Sequence, residues 1–365
     1  MEQVVNKFKI AAVNFDHMHM GDLLRQAKDN PNVEIVGVAD NTPDSRRASG
    51  VLNQIGLPAS LFHADYRTLL ESTRPDLIIL CAATAEHAEW TEKVAPFGAH
   101  LLVEKPFAAN LAEADRMTAA LAATGKQLIV NWPLRWYASH VTAKQLVDDG
   151  AIGELIQVHY YDGNRGPLRH AADKVNVSEE VAVASKSQSW WYKKSAGGGS
   201  LLDYLGYGTT LGAWYMNGRV PVEVTTMVDA PEGVEVDEHS ITVCRYDLPN
   251  SGLSKFETRW GTFTDPWTSQ PQPKCGFVLV GRSGTISSYD YELHVRLQTR
   301  SKEVGELVPA PALTPPNDGA INYVVHKLMR GELVEGPLSA AIARIGQIVV
   351  DAAVRSANEK RTITI

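Results

Sequence analysis

From Phe8 onward, short apolar and β-branched runs alternate with longer stretches of helical spacing. The runs are Phe8 to Val13, Val33 to Ala39, Leu77 to Ala82, His100 to Val103 and Leu128 to Val130, each of strand length. Between them lie segments such as Ala112 to Ala123, where Ala, Leu, Met and Glu dominate. Strands separated in this way predict right-handed βαβ units on a parallel sheet, a doubly wound α/β domain over residues 1–131. Past Asn131 the texture changes. A helix is predicted to about Asp149, Gly150 and Gly153 punctuate, and Glu154 to Tyr161 reads as a strand. Val222 to Val228, Ser240 to Tyr246, Lys255 to Trp260, Phe277 to Val280 and Glu292 to Gln298 follow as strands joined by Gly, Asp and Pro turns. With no helix between them they predict a large open, mainly antiparallel sheet in a second α/β domain over residues 132–365. Ile321 to Met329 and Leu338 to Asn358 regain helical periodicity and are expected to pack back on the body. Asp162 to Gly199, rich in Gly, Lys, Ser and His, shows little periodicity, as functional covers and flexible loops do.

Composition narrows the partners. The 365 residues suit two domains, with 44% hydrophobic and 21% charged residues as in ordinary globular proteins. A net charge of −7 without long runs of either sign argues against a nucleic acid or an anionic membrane surface as partner. Cys81, Cys244 and Cys275 are too scattered for a disulfide framework or a CxxC metal site. Met1 to Lys9 has no apolar leader core, and no uncharged stretch approaches membrane-spanning length, so a cytoplasmic protein is expected.

Chemistry gathers at the predicted strand ends. Asp40 closes the second strand, where an acid accepts hydrogen bonds from an adenosine ribose and repels a 2′-phosphate; it could equally cap the following helix. The first strand-to-helix turn reads Asn14-Phe15-Asp16-His17-Met18-His19, with Asn14, Asp16 and His19 where a phosphate-binding turn carries glycines. Asn tolerates positive φ and a helix N-terminus offers free N–H groups, but Asp16 would bring a carboxylate toward a phosphate pair. Asp16, His17 and His19 crowd together in sequence with no distant partner motif, and no metal is expected. Glu104-Lys105-Pro106 follows the fourth strand run, where a lysine could polarise a substrate oxygen or simply form a surface ion pair. Gly197-Gly198-Gly199 leads to Asp203 and Tyr207, four apart on one helix face, able to carry and orient a proton or else to cap and pack. Trp132, Trp136, Trp190, Trp191 and Trp267 fall near predicted junctions, where flat rings suit the CH faces of sugars or fill a core.

These residues resemble the oxidoreductase family named for glucose-fructose oxidoreductase, inositol dehydrogenase and rhizopine catabolism, Gfo/Idh/MocA. The likeness rests on Lys9-Ile10, Val38-Ala39-Asp40, Ala83-Thr84 followed by His87, Glu104-Lys105-Pro106, Gly150-Ala151-Ile152-Gly153, and the triple glycine leading to Asp203. It implies a Rossmann-like NAD(P) domain, a second domain with a large open sheet, and hydride transfer at a sugar or polyol carbon with Lys105 and Asp203 at the reacting centre. Tyr207 stands where the family usually has histidine, and the fingerprint glycines are missing.

Together these readings place NAD, with NADP disfavoured, on Asn14, Phe15, Asp16, His17, Met18, Asp40, Ala83, Thr84, His87, Glu104 and Lys105. They place a sugar, polyol or glycoside on Trp132, Arg135, Arg165, Trp191, Asp203 and Tyr207. Tyr207 would accept the hydroxyl proton, with its pKa lowered by Lys105, and Asp203 would orient the ring. A homo-oligomer, dimer or tetramer, is expected. Two rivals stay open: an NAD-retaining enzyme that cleaves glycosides through transient oxidation, and a sugar sensor without turnover.

Overall fold

In β1 (Phe8–Val13) only Lys9 is exposed, as befits an apolar run covered by helices on both faces of a parallel sheet. The computed structural model describes residues 7–41, 46–249 and 252–365; residues 1–6 of the stretch read for a leader lie outside them. The chain continues through α1 (His19–Asp29), β2 (Val33–Ala39), α2 (Arg46–Gln54), β3 (Phe62–His63), α3 (Tyr66–Thr73), β4 (Leu77–Leu80), α4 (His87–Val94), β5 (His100–Glu104), α5 (Leu111–Ala122) and β6 (Leu128–Asn131). All six strands are parallel, in the order β3-β2-β1-β4-β5-β6. The order reverses at β1, so the turns after β1 and β4 part and open a crevice at the carboxyl ends of the strands.

The predicted helix after Asn131 begins later, because Pro133–Trp136 forms a 3-10 turn before α6 (Ala138–Asp148). β7 (Leu155–Asn164) runs into the stretch read as aperiodic, which also holds α7 (Glu179–Ser185) and several 3-10 turns. Then come α8 (Ser200–Tyr215), β8 (Glu223–Asp229), β9 (His239–Arg245), β10 (Leu253–Trp260), β11 (Gly276–Gly281), β12 (Gly284–Tyr289), β13 (His294–Thr299), β14 (Lys302–Pro309), α9 (Ala320–Met329), α10 (Ala340–Glu359) and β15 (Ile363–Thr364). They build a nine-stranded sheet, β14-β13-β12-β11-β7-β10-β9-β8-β15, antiparallel except where β7 pairs β10. α8 lies against this sheet, with Gly208 and Gly212 facing Tyr160 and Phe256. α9 returns to the first sheet, where Ile321 and Val324 share a core with Ile10, Leu23 and Leu24. Among the described residues no helix is long and apolar enough to cross a membrane.

Candidate active site

A cavity of about 300 Å³ opens between the two sheets, lined by His17, His19, Lys105, Asp162, Trp191, Asp203, Tyr207, Trp267 and Tyr291 among others. Lys105 leaves the end of β5 and Asp203 the first turn of α8, and the two form a buried ion pair. The second Asp203 oxygen accepts the Trp260 indole N–H at 3.1 Å. The Lys105 ammonium also lies 5.1 Å from the Tyr207 ring centre and 5.6 Å from that of Tyr204. Trp132 meets Tyr207 edge-on at 5.2 Å and fixes the ring. The Tyr207 phenol is pushed well up by burial and by the carboxylates Glu104, Asp203 and Asp162. That corrects the expectation of a lowered phenol pKa: the Lys105 charge is spent on Asp203, and Tyr207 is a neutral hydroxyl.

The segment before α8 closes over the crevice. Trp190 and Trp191 stack at 3.8 Å, and the Trp190 indole donates to the Asp16 carbonyl at 3.1 Å. Gly197 has φ of 78°, and a Cβ there would lie 2.8 Å from that of Thr84. Only glycine serves that close approach in a left-handed conformation.

The β1–α1 turn differs from a phosphate cradle. Asn14, at φ 64°, supplies the backbone that a first glycine would. Its side-chain amide is buried with neither atom hydrogen-bonded. Part of the turn's donor set is used inside the protein: the N–H groups of Asp16 and His17 go to the Cys81 carbonyl at 2.9 and 3.3 Å, and that of His19 to His17 Nδ1 at 3.1 Å. Asp16 turns to the Arg47 guanidinium and to Asn41. The Asp40 carboxylate is wholly buried, accepting from the Ala48 N–H at 3.3 Å with Arg47 at 3.7 Å. The turn thus lacks the glycines of a phosphate cradle but keeps the positive φ of the first, and the strand ends at Lys105 and Asn131 line an open cavity.

Other predicted residues are dispersed. Met18 and Trp191 line the cavity, while Phe15, Ala83 and Thr84 are buried at the crevice without lining it. His87 sets its ring nitrogens against the carbonyls of Ala82 and Phe107, holding the strand ends together. Arg135 packs on the rings of Trp136, Trp214 and Tyr323, away from the cavity. Arg165 is occupied by Asp265 and Asn176.

Asp162 and His170 escaped the sequence reading because long-range folding makes their surroundings, and Glu104, which it singled out, gains partners it did not foresee. Asp162 accepts from the Tyr160 hydroxyl at 2.6 Å, and burial followed by Asp290 raises its carboxyl to about 7. His170 also lines the cavity, and burial followed by His19 lowers its imidazole to about 4. Glu104 bonds His19 Nδ1 and Asn131 Nδ2, both at 2.8 Å. Burial raises the Glu104 carboxyl, but His19, Lys105 and Asn131 outweigh it and hold it below the ordinary range.

Comparison with known proteins agrees with this architecture. Residues 12–132 match the oxidoreductase family with an NAD-binding Rossmann fold, and residues 140–287 match the Gfo/Idh/MocA C-terminal domain. The dTDP-3,4-didehydro-2,6-dideoxy-alpha-D-glucose 3-reductase of Streptomyces violaceoruber is 30% identical over 126 residues, 34% of this chain and 35% of the relative. The inositol 2-dehydrogenase of Salmonella paratyphi B is 26% identical over 161 residues, 43% of this chain and 46% of the relative. The chain therefore aligns with less than half the length of either. The aldose-aldose oxidoreductase of Caulobacter crescentus, solved with glycerol, superposes with a TM-score of 0.76 at 19% identity, covering 98% of this chain and 100% of that one. Two family domains in sequence order, joined across the cavity by the Lys105–Asp203 ion pair, make this chain a member of the Gfo/Idh/MocA oxidoreductase family.

Proposed function

We propose that the protein is an oxidoreductase acting at a hydroxyl-bearing carbon of a sugar, polyol or glycoside, with NAD as hydride partner. The observation that carries this reading is the buried Lys105–Asp203 pair beside Tyr207 in a cavity with both aromatic and polar walls. Trp191, Trp267 and Tyr291 offer flat faces to sugar CH groups, and Asp162 and Asp203 offer acceptors to hydroxyls. NAD, when bound, supplies the hydride chemistry. The chain's own part is proton handling: the Lys105 ammonium polarises the substrate oxygen, Asp203 fixes that ammonium, and the neutral Tyr207 phenol is poised to donate a proton. A neutral phenol suits reduction of a carbonyl; oxidation would first require its deprotonation. The sugar-related names of the curated relatives support the substrate class.

The β1–α1 turn, without fingerprint glycines and with the N–H groups of Asp16, His17 and His19 bonded inside the protein, favours a second reading, a sugar-binding protein without turnover. Calorimetric titration with NAD, then absorbance measurements with a panel of aldoses, ketoses and polyols, separates the two. Saturable NAD binding and substrate-dependent absorbance change are expected. Sugar binding without NAD binding would replace the enzyme reading with the sensor.

A further inference from the structure

The crowded turn holds a second arrangement that the proton chemistry does not use. Asp16 is withdrawn by Arg47, and in its place folding brings Glu104, 85 positions from His19 in the chain. One ligand atom from each of His17, His19 and Glu104 lies within 4.8 Å of the others. Glu104 is fully buried, and Asn131 holds one of its oxygens at 2.8 Å, leaving the other toward His19. His17 is only 3% exposed, yet its Nε2 has no hydrogen-bond partner. Because His17 Nδ1 accepts from the His19 N–H, Nε2 carries the ring proton as the turn stands and is an orphan donor; a ring that gives up that bond presents a bare nitrogen beside a second imidazole and a fixed carboxylate.

We infer that His17, His19 and Glu104 form a three-ligand site for a divalent transition-metal ion, with its open coordination position facing the cavity that holds Lys105, Asp203 and Tyr207. Two imidazoles and one carboxylate are the donor set of zinc sites that keep a fourth position for water or substrate, and of ferrous sites with open faces. Both histidines line the cavity, so a substrate oxygen can reach that position. Asn131 orients Glu104 as outer-shell partners of metal ligands do. The metal takes whichever His17 nitrogen a ring rotation presents, at the expense of the hydrogen bond from the His19 N–H. Nearby positive charge is limited, because the Lys105 ammonium is paired with Asp203.

The test is titration of tag-free, chelator-treated protein with Co²⁺, read by visible absorption, followed by displacement with Zn²⁺ and, without oxygen, Fe²⁺. About one ion per chain is expected, with the absorption of a site of low coordination number. Displacement of Co²⁺ by Zn²⁺, and by Fe²⁺ only in excess, is the order that affinity alone imposes and shows that the ions share one site. His19→Ala and Glu104→Gln should each weaken binding roughly 100-fold or more, since loss of even an outer-shell partner costs about 10- to 100-fold. Thermal unfolding of each metal-free variant shows that it is folded, and His19, half-buried, is the safer of the two substitutions. No saturable Co²⁺ binding, or equal affinity in folded wild type and both variants, would overturn the site. NAD titration of the metal-free wild type stands apart, so failure of the metal site leaves the oxidoreductase reading to its own measurement.

Discussion

A lysine ammonium buried as deeply as Lys105 is tolerated because Asp203 faces it, and Asp203 in turn relies on Lys105 and Trp260. Lys105→Met alone strands the carboxylate with the indole as its remaining partner and should cost about 3–5 kcal/mol of stability. Adding Asp203→Asn removes the orphan charge and should restore most of that loss, while turnover stays low in both variants. Denaturant titration and steady-state kinetics of the pair check this; a single variant as stable as wild type would show that the ion pair does not hold the site together. Tyr207 presents a different case, because its hydroxyl forms no hydrogen bond to any described residue and its ring is held by Trp132. Tyr207→Phe should therefore keep stability within about 0.5 kcal/mol of wild type. Turnover should fall about 100- to 10,000-fold if the phenol carries the proton. Unchanged kinetics in that variant would assign the proton to another group.

Helix α8 shows how element packing sets the site. Gly206 lies against the Trp132 ring, where a Cβ would come within 2.4 Å of it, and Trp132 is the ring that positions Tyr207. Gly206→Ala should destabilise by about 1–3 kcal/mol through overpacking, despite alanine's better helix propensity, and should lower turnover by displacing Tyr207. Gly50 in α2 has open space around its Cβ direction, so Gly50→Ala should stabilise by roughly 0.5–1 kcal/mol. Thermal denaturation of the two variants tests the contrast; two changes of the same sign would refute it. Elements with a strong pattern were legible in the sequence: β1 and β2 lie where their apolar runs predict, because a parallel strand covered on both faces is apolar over most of its length. β3, with two residues, and β14, with many exposed positions, leave too little pattern to read. The same division holds within the site. Lys105, Asp203 and Tyr207 were legible from local motifs. The pairing of Glu104 with His19 and the carboxyl cluster of Asp162 and Asp290 arise only when distant strands close, and no local spacing announces them.

Across the whole molecule, the cavity sets two buried titrating groups in opposition. Asp162, raised to about 7 by burial and then by Asp290, keeps a proton in the folded state that the unfolded chain releases near 3.8. Its contribution therefore falls as pH rises from about 4 to about 7. His170, lowered to about 4 by burial and then by His19, stays neutral while the unfolded chain takes up a proton below 6.5. Its contribution rises over nearly the same window. The two slopes oppose each other in the wild type, so replacing one should expose the other. Asp162→Asn keeps an acceptor for the Tyr160 hydroxyl and removes the carboxyl titration. The stability of Asp162→Asn minus that of wild type should grow with pH at up to about 1.4 kcal/mol per unit between pH 4 and 7, then level off. Denaturant unfolding of both proteins across that range measures the difference. A gap independent of pH would mean that Asp162 is ionised in the folded protein throughout, and that the buried carboxyls on the cavity wall share no proton at neutral pH.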